Sequence, residues 1–218
     1  MSVNADSEAS SKLDALRRRA ASCQACPLWK DATQTVFGEG PPNADVMFVG
    51  EQPGDREDRE GRPFVGPAGL LLDKALVEAG LDRKRIYVTN AVKHFKFEQR
   101  GKRRLHKRPN TSEIKICRRW LFDEIEAVSP RLIVALGATA AHGLTGRATA
   151  VQSNRGSVLI VDKRLRVFMT IHPSALLRLQ DEEEKRSGYQ SYVNDLRSIE
   201  RLLDYSSDQT KSGARAAG

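Results

Sequence analysis

Two carboxylates stand in a short segment, GEQPGD at residues 50–55, directly after an apolar run. Glu51 and Asp55 would be costly at the end of a buried strand unless they perform a task. The glycines of the segment, Gly50 and Gly54, allow backbone N–H groups to approach a ligand closely. The segment therefore predicts a binding loop, although a plain turn has the same composition.

An aromatic ring and an amide occupy two further loops. Phe64 lies in GRPFVGPAG, residues 61–69, where a flat ring outside any periodic pattern can stack on a planar base. A hydrophobic plug beneath the loop is an equally simple alternative. Asn90 ends the run IYVTN, and its amide offers the donor and the acceptor that the edge of a flipped pyrimidine needs. Capping of a turn or a helix is the plainer interpretation of Asn90.

A histidine follows a later apolar run and opens the segment HPSALLR, residues 172–178. A neutral His172 can donate a hydrogen bond to a carbonyl oxygen that gains negative charge as a glycosidic bond breaks. Arg178 in the same segment can hold a phosphate. A purely structural role is the alternative for a single histidine in this position.

The cysteines have the spacing of a metal site. Cys23 and Cys26 are separated by two residues, and Cys117 supplies a third thiolate. An odd number of cysteines argues against a disulfide framework. Zinc and iron–sulfur clusters both require four ligands, so the cysteines by themselves do not choose between the two.

Positive charge is concentrated in one stretch of a basic chain, which has 36 Lys and Arg against 28 Asp and Glu. Residues 93–108 contain eight basic side chains and a single acid, Glu98. Such a local field attracts a phosphate backbone. Lys102, Arg103 and Arg104, in the middle of the stretch, are the candidates for phosphate contacts.

Apolar runs alternate with amphipathic segments, which is the pattern of an α/β protein. We expect a three-layer α/β/α sandwich around a central, mostly parallel four-stranded sheet. The apolar runs that predict strands are residues 45–50, 86–92, 131–137, 157–161 and 166–171; helices are predicted at 11–23, 66–79, 111–128, 138–144 and 181–203. Residues 93–110 show no periodicity and are predicted to form a long loop.

Ligands of such sheets bind beyond the carboxyl ends of the strands, which brings Gly50, Asn90 and His172 to one edge. A single domain is expected over residues 1–205, followed by a disordered tail at 206–218 that is small and polar. No apolar run reaches the ~18–20 residues that span a bilayer, and the N-terminus lacks a signal pattern. The expected compartment is the cytoplasm, and no membrane partner is expected.

Four of these segments, in their order along the chain, resemble the uracil-DNA glycosylase superfamily, and the resemblance covers nearly the whole chain. They are GEQPGD, GRPFVGPAG, IYVTN and HPSALLR. The nearest branch resembles the family 4 enzymes, which carry a 4Fe-4S cluster, and within it the match is closest to UdgX. The match rests on GEQPGD, on NAVKHFK at residues 90–96 and on the basic GKRRLH at residues 101–106. Leu105 stands where the loop of the family usually has isoleucine.

The resemblance implies a set of pocket and cluster residues. The uracil pocket would be formed by Glu51, Gln52, Asp55, Phe64, Asn90 and His172, with Gly50, Ser174 and Arg178 among the residues that bind uracil or DNA. His94 stands where family 4 has a cysteine, so a 4Fe-4S cluster would be held by Cys23, Cys26, His94 and Cys117. We expect this cluster to be structural rather than redox-catalytic.

The resemblance also implies excision of uracil from DNA, with single strands preferred, by a monomeric protein. UdgX-type proteins offer a loop histidine as the nucleophile; here that residue is His106, with Glu51 placed to take its proton. The product would be a covalent protein–DNA adduct. Two alternatives remain: a turning-over uracil-DNA glycosylase in which water attacks C1′, and a non-catalytic Fe–S module that binds DNA.

Overall fold

The computed structural model describes the backbone of residues 2–161 and 165–215 and the side chains of 6–161 and 165–204. A five-stranded sheet lies at the centre of this part of the chain. Four strands run parallel, and the fifth pairs antiparallel at one edge. The strands are β1 (Val46–Gly50), β2 (Ile86–Asn90), β5 (Leu132–Leu136), β6 (Val158–Ile160) and β7 (Arg166–Thr170), in the spatial order β2-β1-β5-β7-β6.

Alternate residues of each parallel strand face two separate cores, because side chains along a strand point to opposite faces. In β1, Met47 and Val49 belong to one core, whereas Val46 and Phe48 belong to the other. The first core is covered by α1 (Ser2–Ala21), α4 (Thr111–Val128) and α5 (Ala138–Thr145); the second is covered by α3 (Pro67–Ala79), α7 (Pro173–Leu177) and α8 (Glu182–Arg215). The predicted three-layer α/β/α class is confirmed.

The central sheet has five strands rather than the four that we expected. All five apolar runs predicted to be strands join it, and β6, predicted at residues 157–161, pairs with β7 as a three-residue antiparallel edge. The sequence also did not predict three short helices, α2 (Asp55–Glu60), α6 (Val151–Asn154) and α7. Helices of four to six residues complete too few turns to show a helical period.

The basic stretch is not the irregular loop that the sequence predicted. It contains an antiparallel hairpin formed by β3 (Phe97–Arg100) and β4 (Arg103–His106), which turns at Gly101 with a φ of +57°. The hairpin forms a two-stranded sheet of its own, separate from the central sheet. Side-chain contacts must therefore fix its position.

The two terminal helices are longer than predicted. α1 begins at Ser2 rather than at residue 11, and α8 continues to Arg215 rather than ending at residue 203. Residues 206–215 are therefore helical in the structure instead of forming an irregular tail, and 216–218 lie outside the described residues. The domain boundary at residue 205 stays a prediction. Within the described ranges, no helix is long and apolar enough to cross a membrane.

A buried ion pair lies behind the end of β2. The side chains of Lys93 and Glu124 have no exposed surface and contact each other directly. The Lys93 ammonium also donates to the Thr89 hydroxyl at 2.6 Å and to the Asn90 carbonyl at 2.8 Å. Glu124 accepts a further hydrogen bond from the Gly38 N–H at 2.7 Å. This network ties the carboxyl end of β2 to α4.

We predict that Lys93→Met lowers the free energy of unfolding by about 3–5 kcal/mol, because it leaves the Glu124 carboxylate buried without a counter-charge. Adding Glu124→Gln should recover part of this loss, since a neutral amide is less costly to bury. The control is Lys12→Met, which breaks the exposed pair with Glu126 and should cost no more than about 1 kcal/mol. Urea unfolding of the variants measures these differences. A double variant less stable than Lys93→Met would contradict the account.

Candidate active site

A cleft of about 1070 Å³ opens at the carboxyl ends of the parallel strands, where the sheet topology predicted it. Residues from the ends of β1, β2, β5 and β7 line it together with the C-terminal end of the hairpin. Predicted site residues that line the cleft are Glu51, Gln52, Asp55, Phe64, Asn90, His106, His172, Ser174 and Arg178. Gly50, Lys102, Arg103 and Arg104 are not in the lining.

The floor of the cleft depends on two close backbone approaches. A Cβ atom on Gly50 would lie 2.4 Å from Asn90 Oδ1 and 2.8 Å from Phe64 Cζ, so only glycine fits between them. Gly69 allows α3 to begin against the backbone of Phe64, whose φ of +57° is left-handed. The Phe64 ring lies nearly parallel to the His172 ring, with centroids 6.3 Å apart and an interplanar angle of 28°. The Asn90 amide and the Phe64 ring thus both lie close to the backbone of Gly50.

His172 caps α7 with one ring nitrogen. Its Nδ1 accepts a hydrogen bond from the Ser174 N–H at 3.2 Å and lies 2.8 Å from the Ser174 hydroxyl. Burial lowers the pKa of His172 to about 4, although the Glu51 carboxylate opposes this shift. The ring is therefore neutral near pH 7, and its proton lies on Nε2. Because Nδ1 of His172 caps α7, as a structural histidine would, the Nε2–H on the other side of the ring is left as a donor.

His106 and Glu51 meet at the mouth of the cleft. His106 Nε2 lies 3.1 Å from Glu51 Oε1, and the His106 side chain is 52% exposed. Glu51 Oε2 accepts a hydrogen bond from the Thr139 hydroxyl and lies 3.5 Å from Arg108 Nε. Burial raises the pKa of Glu51, but the hydrogen bonds from His106 and Thr139 and the charge of Arg108 outweigh it and lower the pKa to about 2.

Sequence reasoning missed Thr139 and Arg108. Thr139 is the second residue of α5, which follows β5 after Gly137. The strand-end rule that marked Gly50, Asn90 and His172 applies equally to the end of β5, and it would have found Thr139. Arg108 was counted only as part of the basic stretch.

The side chain of Gln52 holds the base of the hairpin. Its Nε2 donates to the carbonyls of Lys96 and Lys107 at 3.1 and 3.0 Å, and its Oε1 accepts from the Lys96 N–H at 3.1 Å. Lys96 and Lys107 directly flank the two strands of the hairpin. The amide of Gln52 thus links the hairpin to the end of β1 and leaves only its backbone for a ligand.

Arg104 does not share the exposed position expected for a phosphate contact. Its side chain is 11% exposed, and its guanidinium bonds the carboxylates of Asp55 and Asp58, the latter at 2.7 Å. It also lies over the rings of Phe95 and Phe97, at 5.4 and 5.1 Å from their centroids. Arg104 therefore fastens the hairpin to α2. Lys102 and Arg103 remain exposed at its tip.

Comparison with known proteins decides the family of this chain. Residues 37–197 match the profile described as the Uracil DNA glycosylase superfamily. The chain belongs to the uracil-DNA glycosylase superfamily. The match contains the whole cleft, the hairpin and all strands of the central sheet.

Several relatives carry the name type-4 uracil-DNA glycosylase. The protein of Thermotoga maritima is 38% identical over 175 residues, which cover 80% of this chain and 88% of the relative. That of Archaeoglobus fulgidus is 36% identical over 185 residues, covering 81% and 89%. That of Saccharolobus solfataricus is 32% identical over 219 residues, covering 94% and 98%.

The three cysteines of this superfamily member form no disulfide and pack against the same hydrophobic core. Trp120 Nε1 donates to Cys23 Sγ at 3.2 Å, and the Lys93 N–H donates to Cys117 Sγ at 3.2 Å. N–H donors of this kind suit metal-bound thiolates. His94 Nε2, however, lies 2.9 Å from the Thr35 hydroxyl. Within the described ranges, no three Cys, His, Asp or Glu side chains are grouped closely enough to hold a metal ion.

We predict that His172 stays neutral from about pH 8 to about pH 5, with its proton on Nε2, because burial places its pKa near 4. ¹⁵N NMR of the histidine rings measures both the tautomer and the titration, and His172→Gln identifies the signals. A midpoint near the ordinary value of about 6.5, or a proton on Nδ1, would show that the cleft does not enclose the ring in this way.

We predict that Arg103 and Arg104, although adjacent, have different effects when replaced. Arg104→Ala should lower the free energy of unfolding by about 3 kcal/mol or more, because Asp58 is then buried without its partner. Arg103→Ala should change stability by less than about 0.5 kcal/mol. It should instead reduce the salt dependence of single-strand binding by ~0.7 units of slope. Equal losses of stability in the two variants would contradict the assignment of Arg104.

Proposed function

We propose that this protein cleaves the N-glycosidic bond of uracil in DNA and is then bonded covalently to the abasic sugar through His106. This assigns the chain to the UdgX branch of its superfamily. Family membership and the names of the relatives support uracil excision. The observation that carries the covalent step is the hairpin, which places His106 3.1 Å from the Glu51 carboxylate at the mouth of the cleft.

Recognition begins with a base that has left its stack, since the N-glycosidic bond is not accessible inside a helix. Phe64 offers a ring face for stacking, and the buried Asn90 offers an amide for the edge of the pyrimidine. Gly50 leaves room for both groups, because a Cβ atom at this position would clash with each of them. The base would therefore lie on the floor of the cleft, with its sugar towards His106.

Departure of uracil requires stabilisation of the negative charge that develops on its carbonyl oxygen. A neutral His172 can donate its Nε2 proton to that oxygen, and Ser174 fixes the tautomer through Nδ1. We propose the backbone N–H of Gln52 as the second donor, since its side-chain amide holds the hairpin. Arg178, which donates to the Ser174 hydroxyl at 3.1 Å, lies at the exposed edge where a phosphate would pass.

Capture of the sugar is the step that distinguishes this proposal from hydrolysis. The electron pair of the bond between C1′ and N1 leaves with uracil, and C1′ becomes oxocarbenium-like. The ring nitrogen of His106 that carries no proton donates its lone pair to C1′, and the imidazole becomes an imidazolium. The sequence predicted that Glu51 takes the remaining proton. A pKa of about 2 favours a carboxylate that stays ionised and stabilises the imidazolium charge.

Exposed cations surround the cleft on the side where a DNA backbone would run. Lys102 and Arg103 lie exposed at the hairpin tip, Arg108 lies beside Glu51, and Arg178 is an exposed residue of the cleft lining. These charges would attract the phosphates of a DNA strand that passes the cleft. Preference for single strands, a monomeric state and a cytoplasmic location stay predictions.

A 4Fe-4S cluster held by Cys23, Cys26, Cys117 and His94 is part of the proposal. The three free thiols, two of which accept N–H hydrogen bonds, support it. His94 would have to exchange its hydrogen bond with Thr35 for the metal. The cluster would tie the N-terminal part, the start of the basic stretch and α4 together, and it would take no part in the reaction.

Hydrolysis with turnover is the competing function, favoured by the names of the relatives. We predict that His106→Ser abolishes the SDS-stable adduct and releases uracil instead, because water can then reach C1′ while His172 and Asn90 still act. Glu51→Ala should slow adduct formation without producing turnover. His142→Ser on α5 is the matched control and should form the adduct normally. Undiminished adduct in His106→Ser would exclude His106 as the nucleophile.

We predict that the purified protein contains iron and absorbs visible light, with bleaching on reduction or loss of iron. Cys117→Ser should lose iron and thermal stability together, because metal binding contributes to the folding free energy of such sites. Elemental analysis and thermal melts measure both quantities. Zinc without iron in the wild-type protein would contradict the proposed cluster.

A further inference from the structure

We propose that Thr139 is a positioning residue that holds the Glu51 carboxylate in the orientation needed for covalent capture; this inference rests on the proposed function. Thr139 is 5% exposed and belongs to the first turn of α5. Its hydroxyl donates directly to Glu51 Oε2, although 88 residues separate the two in sequence. Neither the sequence motifs nor the charge pattern predicted Thr139 as a site residue.

The two oxygens of Glu51 have separate partners. Oε1 faces His106 Nε2 at 3.1 Å, while Oε2 accepts from Thr139 and lies 3.5 Å from Arg108. The terminal torsion of a glutamate is soft, so a carboxylate with one fixed oxygen can rotate away from its partner. The Arg108 side chain is 71% exposed and cannot hold this torsion firmly. Thr139 can, because the protein encloses it.

The turn before α5 places the Thr139 hydroxyl beside Glu51. Gly137, which connects β5 to α5, has a φ of +89°, a conformation that favours glycine. A Cβ atom on Gly137 would lie 3.3 Å from the His172 Cβ, so the turn packs against the base-binding side of the cleft. A threonine in a first helical turn often caps the helix, but Thr139 directs its hydroxyl to Glu51 instead. The contact therefore serves the carboxylate.

The hydroxyl also stabilises the ionised form of Glu51. Burial raises the pKa of Glu51, and hydrogen bonds from His106 and Thr139 act against burial. During capture His106 becomes positively charged and needs an ionised partner at fixed distance. Removing the Thr139 donor should raise the pKa of Glu51 while leaving the group ionised near pH 7, so that the loosened orientation is what slows capture.

The test compares Thr139→Val, which keeps the shape of the side chain and removes the donor, with Thr139→Ser, which keeps the donor. Single-turnover assays on uracil-containing single strands give separate rate constants for uracil release and for adduct formation. Thr139→Val should slow adduct formation about tenfold, as expected for a lost hydrogen bond to a charged group, and should leave uracil release unchanged. Thr139→Ser should restore adduct formation.

Thr145→Val is the matched control, because Thr145 ends the same helix and donates to the Arg147 carbonyl at 3.0 Å, away from Glu51. It should form the adduct at the wild-type rate. Thermal melts verify that each variant folds, and Thr139→Ala replaces Thr139→Val if the latter does not. Equal adduct rates in the wild type and the donor-free variant would overturn the inference.

A second readout needs no DNA and separates this inference from the proposed function. ¹³C NMR of the Glu51 carboxyl group, assigned with Glu51→Gln, gives its pKa, which should rise in Thr139→Val by roughly one unit and return in Thr139→Ser. If the wild type forms no adduct, the proposed function fails, and the NMR titration still decides whether Thr139 holds Glu51. An unchanged Glu51 pKa in Thr139→Val would overturn that contact.

Discussion

Side chains, not backbone pairing, hold the hairpin that carries His106. The hairpin is separate from the central sheet, so its position depends on the Gln52 amide at its base and on the Arg104 guanidinium along one strand. Arg104 is nearly buried between Asp58 and two aromatic rings. A nucleophile must lie within about 3–3.5 Å of the atom that it attacks. For the proposed attack by His106, these two anchors give a short surface hairpin the precision that this distance demands.

The cleft sets two neighbouring titratable groups in opposite environments. Burial favours the uncharged form of His172, whereas hydrogen bonds and a nearby cation keep Glu51 ionised despite its burial. In the proposed reaction, a neutral donor would face the leaving base, and an anion would face the histidine that becomes positive. This division of roles follows from the protein surroundings of each group rather than from its residue type.

Much of the fold was predictable because its signals are local or periodic. α4 begins and ends at the predicted residues. Its start is marked in the sequence by Asn110 and Glu113, which form a reciprocal cap. The strand-end rule pointed to the segment after Gly50, to Asn90 and to His172, and all three places contribute to the lining of the cleft. The hairpin escaped because its strands, FEQR and RRLH, carry too few apolar residues to alternate visibly. Arg104 was predicted to contact phosphate, as its neighbours were, because a run of cations does not reveal which one meets buried carboxylates. The partners of Gln52 and Thr139 could not be predicted because only tertiary contacts set them.

The most direct measurement is mass spectrometry of the complex that the wild-type protein forms with a uracil-containing single strand. After denaturation and digestion, the account predicts a deoxyribose remnant on the peptide that contains Leu105, His106 and Lys107. Fragmentation should place the remnant on the His106 imidazole. A remnant on another residue, or a free abasic strand with unmodified peptide, would contradict covalent capture by His106.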